Sequence, residues 1–109
     1  RPAAPSRRLD LPALRQLTFQ HPDVRRFRCL NLAFRALAMG GTAPAVLNAA
    51  NEVAVQLFLE GRIPFVAIAD IIEDALDAHA PLQHMTLDDL VRTDRETRSL
   101  VEQYAAQLP

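Results

Sequence analysis

Between residues 23 and 39 the apolar side chains Phe27, Leu30, Phe34 and Leu37 recur at steps of three and four, with Arg25, Arg28 and Arg35 on another side. That spacing predicts an amphipathic helix whose Phe/Leu stripe is its core-facing side. Gly40 and Gly41 end it as C-cap and turn, Thr42 is placed to cap the next helix, and Pro44 is accepted in that helix's first turn. The second helix runs to about Glu60 and is apolar nearly all round, as expected of an element with neighbours on several sides. Gly61 closes it. Pro64 opens a third helix reaching about His79, with Phe65, Ile68, Ile72 and Leu76 on one face and Asp70, Glu73, Asp74 and Asp77 on another, and Pro81 terminates it. Thr86 and Asp89 have the spacing of a capping box and start a short helical turn. Asp94 is the expected cap of a last helix, whose apolar face is Val101, Tyr104, Ala105 and Leu108.

Upstream of these elements, "RPAAPSRRLDLPALRQLTF" carries Pro2, Pro5 and Pro12 beside Arg7 and Arg8, without a sustained apolar period. It reads as an extended arm over residues 1–22, with Leu9, Leu11, Leu14, Leu17 and Phe19 suited to lie on another surface. Pro22 pushes His21 out of the helical region and turns the chain. The expected architecture is all-α: a compact four-helix bundle-like domain over 23–109, preceded by the arm, with no strand and no internal repeat.

Composition changes this picture little. A chain of 109 residues, half of them hydrophobic, is one domain by length. Such a chain can bury roughly two thirds of its unfolded surface without metal or disulfide. Twelve basic residues, all arginine, balance thirteen acidic ones, so nothing recommends nucleic acid or a membrane surface as partner. Cys29 is alone, which excludes an intrachain disulfide and fits a reducing compartment; its expected place is as a small buried hydrophobe. No apolar run approaches the roughly 18 residues that span a bilayer. A soluble, cytoplasmic protein is expected.

Several constellations have a chemical reading that fails on spacing. Asp70, Glu73, Asp74 and Asp77 lack the Glu-x-x-His pairing of a bundle metal site, since Leu76 stands three residues after Glu73. They are expected to form a solvated acidic face. His21, His79 and His84 fall in or beside turns, with no nucleophile placed next to them. "GGTAP" lacks the lysine and glycine spacing of a phosphate loop. A helix-turn-helix using Arg25, Arg26 and Arg28 would make a reading helix of Ala, Val and Leu.

There remain Asn48, Asn51 and Glu52, with Gln56 one turn on, along one stripe of the apolar second helix. Burying an unpaired polar group costs about 1–3 kcal/mol by mutational measures, so the three must be satisfied or must act. They have a carboxylate but no electrophile, metal partner or second acid. The reading adopted is a structural polar cluster that joins the helices to the turns and the arm.

This same stretch, "GGTAPAVLNAANEVAVQLFLEGRIPF", resembles the C-terminal helical domain of 1-deoxy-D-xylulose 5-phosphate reductoisomerase. The upstream "LDLPALRQLTFQHPDVRRFRCLNLAFRAL" is similar to the family's approach to that domain, with "LTF", "PD" and "CL" in order, and the similarity covers essentially the whole chain. The resemblance implies a parent enzyme that converts 1-deoxy-D-xylulose 5-phosphate to 2-C-methyl-D-erythritol 4-phosphate in non-mevalonate isoprenoid synthesis. That enzyme uses NADPH and a divalent cation, Mg or Mn. It implies as partners an N-terminal dinucleotide-binding domain and a central domain that carries the metal and substrate ligands and the dimer contact, in a homodimeric parent. No position of this sequence matches the family's catalytic, cofactor-binding or metal residues, so the chain by itself is expected to hold no cofactor and to be inactive. Two positions depart from the family: Arg28 stands where a proline often precedes the cysteine, and Val66 and Ala67 stand where Asp or Thr often caps the third helix. The alternative is a free-standing helical protein-interaction module.

Overall fold

The computed structural model describes residues 22–108, with side chains from residue 26 onward. Among these residues four helices follow one another: α1 Pro22–Met39, α2 Ala43–Leu59, α3 Ala67–Asp77 and α4 Leu87–Ala106. Among the described residues there is no strand, and the all-α expectation holds. The arm proper, residues 1–21, lies outside them, and Pro22 is already the first residue of α1.

Local chemistry sets the helix ends. Gly40 and Gly41 adopt φ of 70° and 55°, and Gly61 adopts 76°, a left-handed region where a side chain is strained. At the end of α2 the Arg62 N–H reaches the Leu57 carbonyl at 2.9 Å and the Gly61 N–H reaches Phe58 at 2.9 Å. These two bonds form a Schellman cap. Thr86 and Asp89 form the expected capping box in both directions: the Asp89 N–H donates to Thr86 Oγ1 at 3.1 Å, and the Thr86 N–H donates to Asp89 Oδ2 at 2.9 Å. This box opens one continuous 20-residue helix instead of a short turn. Asp94 therefore lies inside α4 and pairs with Arg98 one turn on, because nothing between 86 and 106 breaks the helix.

Two further expectations shift. Helix α3 begins at Ala67, after turns closed by Ala67 N–H to Pro64 O (3.0 Å) and Ile68 N–H to Phe65 O (3.1 Å), and Val66 supplies no side-chain cap. Thr42 does not cap α2 with its hydroxyl: its backbone is already helical, and Oγ1 is used elsewhere.

Helix α2 is central and touches the other three. Its alanines Ala43, Ala49, Ala50 and Ala54 are buried, so neighbouring backbones can approach it closely. Val46 and Leu57 of α2, Ile71 and Leu76 of α3, Val101 of α4, and Leu32 and Ala36 of α1 fill the core. Ile68 and Ile72 are buried as expected, whereas Phe65 is half exposed and meets Phe58 edge-on at 5.4 Å between ring centroids.

The first helix is turned over relative to expectation. Phe27, Leu30, Phe34 and Leu37 face outward, 65, 51, 60 and 67 % exposed, while Leu32 and Ala36 are its buried residues. Cys29 is likewise exposed rather than a core residue.

Of the three glycines Gly41 is the most tightly packed: a Cβ there would stand 2.2 Å from the Leu82 carbonyl oxygen, whereas one at Gly61 would meet nothing within 4 Å. Gly41→Ala should therefore lower unfolding free energy by about 2–4 kcal/mol and Gly61→Ala by about 1, as read by urea denaturation. Equal losses at the two sites would contradict the packing of Leu82 over this turn.

Candidate functional site

The overturned face of α1 creates a polar contact with α3. Arg28 and Arg35, seven residues apart and so on one side of the helix, both reach α3. Arg28 Nη2 donates to Asp70 Oδ1 at 2.5 Å and to Glu73 Oε1 at 2.8 Å, and Arg35 Nη2 donates to Asp77 Oδ1 at 2.5 Å. Asp70 and Asp74 are buried, so the acidic face is a helix-helix contact, in place of the solvated surface expected. Burial works against the Arg28 charge, but the hydrogen bonds and charges of Asp70 and Glu73 outweigh it, and its pKa is raised.

These pairings also bear on the metal reading of the acidic residues. The three carboxylates that could gather a cation already accept from guanidinium groups, whose charge a cation would have to displace. Among the described residues no group of three His, Cys, Asp or Glu side chains is placed to hold a metal. The arrangement does not fit a divalent ion. Among the described residues there is no strand, and hence no glycine-rich strand-to-helix turn of the dinucleotide-binding kind.

A second polar cluster lies over α2 and α4. A surface cleft of about 400 Å³ is lined by Glu52, Gln56, Glu60, Arg62, Arg98 and Glu102, with Val53 and Leu57 at its floor. Arg98 donates from Nη2 to Glu52 Oε1 at 2.6 Å and from Nε to Asp94 Oδ2 at 2.9 Å. Those hydrogen bonds raise the Arg98 pKa. Arg62 donates to Glu102 at 3.1 Å, and Gln56 donates to Glu60 at 3.1 Å. Donors and acceptors are matched within the cleft, and it holds no nucleophile.

Of the polar cluster expected from the sequence, Glu52 belongs to this cleft and ties α2 to α4. Asn48 and Asn51 are exposed on the same helix, and neither makes a side-chain hydrogen bond among the described residues. The stripe does not interrupt the core: α2 buries its alanines and keeps its amides on the outward side.

The contact that joins turns to helices was missed at the sequence level. Thr42, fully buried, accepts from the Leu82 N–H at 3.0 Å through Oγ1, and the same oxygen lies 2.6 Å from His79 Nε2. Having accepted from Leu82, the hydroxyl can donate to a neutral imidazole. Gln83 Nε2 adds a bond to the Met39 carbonyl at 3.3 Å, so the segment after α3 lies across the turn before α2. The Leu82 carbonyl thereby packs directly over Gly41. A threonine beside a proline gave a cap signal, and only the return of the chain 40 residues later reveals the other use. His84 is exposed, and His21 lies outside the described residues. The Cys29 thiol is pushed up by burial of its surroundings, against the lowering effect of Arg28, which disfavours a reactive thiolate.

The fold and these contacts define a small all-α domain whose described charged clusters brace helix against helix. The family model described as the DXP reductoisomerase C-terminal domain matches residues 1–100. A protein named 1-deoxy-D-xylulose 5-phosphate reductoisomerase from Caldanaerobacter subterraneus subsp. tengcongensis is 55% identical over 93 residues, 85% of this chain and 24% of that protein. Proteins of the same name from Burkholderia multivorans and Bacillus subtilis are 52% identical over 101 residues and 49% identical over 100. These cover 93% and 92% of this chain and 25% and 26% of those proteins. The chain belongs to the DXP reductoisomerase C-terminal domain family. It spans about a quarter of the length of the relatives it matches.

Two expectations follow from the polar geometry. Arg28→Ala leaves buried Asp70 without its α1 guanidinium and should cost about 2–3 kcal/mol in chemical denaturation. Arg98→Ala, at the exposed cleft, should cost under about 1 kcal/mol, and a reversed order would contradict the burial assigned to the two clusters. Burial lowers the His79 pKa, against a raising influence from Glu96, so the folded state prefers neutral imidazole. Below the ordinary histidine range the unfolded chain takes up the proton more readily, and stability falls as pH drops through about 6.5 and below. His79→Gln should lose less melting temperature between pH 8 and 5 than the parent chain, and equal losses would remove His79 from that pH dependence.

Proposed function

We propose that this chain is the C-terminal portion of a reductoisomerase that converts 1-deoxy-D-xylulose 5-phosphate to 2-C-methyl-D-erythritol 4-phosphate, and that its part in the reaction is architectural. The observation carrying this reading is the match along residues 1–100 to the family's C-terminal domain, together with relatives about four times as long. NADPH and a divalent cation belong to the reaction of the parent enzyme; their binding groups and the reacting groups are assigned to the remaining polypeptide, in a homodimeric, cytoplasmic parent. The ion-pair clusters support this division, because they occupy their own carboxylates and stiffen the domain as a wall beside a site made elsewhere. Among the described residues no helix is long and apolar enough to cross a membrane. In this reading Asn48 and Asn51 offer their amides to polypeptide outside the described residues, while Glu52 secures α2 to α4.

An antibody raised against the chain provides the test on extract of the source cells. The expected result is one band about four times the size of the chain, and immunoprecipitated material that oxidises NADPH only when deoxyxylulose phosphate is added. The isolated chain should show no such oxidation. In the full-length enzyme Asn51→Leu should lower the melting temperature, while in the isolated chain it should change stability by less than about 0.5 kcal/mol. A native band at the size of the chain would overturn the proposal.

A further inference from the structure

Helix α1 carries its charges and its large apolar side chains the opposite way from an ordinary surface helix. Between Phe27 and Met39 its only charged residues are Arg28 and Arg35, and both are committed to the carboxylates of α3. The outward side therefore presents Phe27, Leu30, Phe34 and Leu37, each more than half exposed, with uncharged Asn31 and Ala38 beside them. Four large apolar groups at steps of three, four and three form one continuous stripe, the spacing by which a helix anchors in an apolar surface. Inward, α1 packs on α2 and α3 through Leu32, Ala36 and its two arginines, and the outward apolar stripe is left for a further neighbour.

The identity of that further neighbour follows from the chain's place in a longer polypeptide. A domain described as C-terminal has the rest of its polypeptide on the N-terminal side, joined to the start of α1 through residues 1–21 of this chain. Any domain tethered there meets α1 at high effective concentration, so an apolar stripe without charge complementarity suffices to hold it. We infer that the Phe27–Leu30–Phe34–Leu37 face of α1 is the surface on which an uncharged, apolar surface of the preceding reductoisomerase polypeptide docks. The inference rests on the reading of the chain as part of that longer enzyme and adds to it the contact surface.

Thiol accessibility tests this in both contexts. Phe34→Cys is introduced, with Cys29→Ala, into the 109-residue chain and into the full-length enzyme, and alkylation by N-ethylmaleimide is followed at that position by peptide mass spectrometry. Ser99→Cys, at an exposed polar position of α4, is the control, and circular dichroism verifies that each variant is helical. The expected result is alkylation of Cys at 34 at least about tenfold slower in the full-length enzyme than in the chain, with the control equally fast in both. Equal, rapid alkylation at 34 in both contexts would overturn the inference. Slow alkylation in both, with the isolated chain sedimenting as a dimer, would also overturn it and make a second copy the occupant. Failure of the underlying reading is separately visible, as a native polypeptide of the chain's own size on the immunoblot.

Discussion

Two arginines of α1 held in the carboxylates of α3 are the contact on which the rest of the described structure depends. Guanidinium groups present planar, fixed donors, and one of them, Arg28, bridges two carboxylates a helical turn apart. Because Asp70 is buried, losing that contact would leave a charge in a poorly solvated place, so the rotation of α1 about its own axis is fixed. Once the arginines point inward, geometry alone sends the Phe/Leu stripe outward.

The other helices are organised differently, by small residues and turn chemistry. The buried alanines of α2 allow three neighbours to approach one helix, and the larger Val46 and Leu57 fill the space this leaves. Thr42 then joins the segment after α3 to the turn before α2, using a single hydroxyl as acceptor and hydrogen-bond partner at once. Apolar packing sets the distances between helices, while these few polar contacts set their rotation and the path of the connections.

The charged side chains of the described residues serve chiefly to join one helix to another. Its charged side chains over α2 and α4 neutralise one another at the surface, and those between α1 and α3 do so at the edge of the core. The chain shares this sequence pattern with the DXP reductoisomerase C-terminal domain family.

The four helices, the glycine turns and the Thr86–Asp89 box were legible in the chain because their bonds run between residues a few positions apart. Capping and i to i+4 bonding need no knowledge of distant partners. The period of Phe27, Leu30, Phe34 and Leu37 likewise specified a helix, but periodicity reports that a stripe exists and not which side the core takes. Tertiary structure decided that, through partners 42 and 45 residues away, as it decided the use of Thr42, the exposure of Asn48 and Asn51, and the burial of Asp70. A buried carboxylate is recognisable only once its guanidinium is in place, and that pairing exists only in the folded chain.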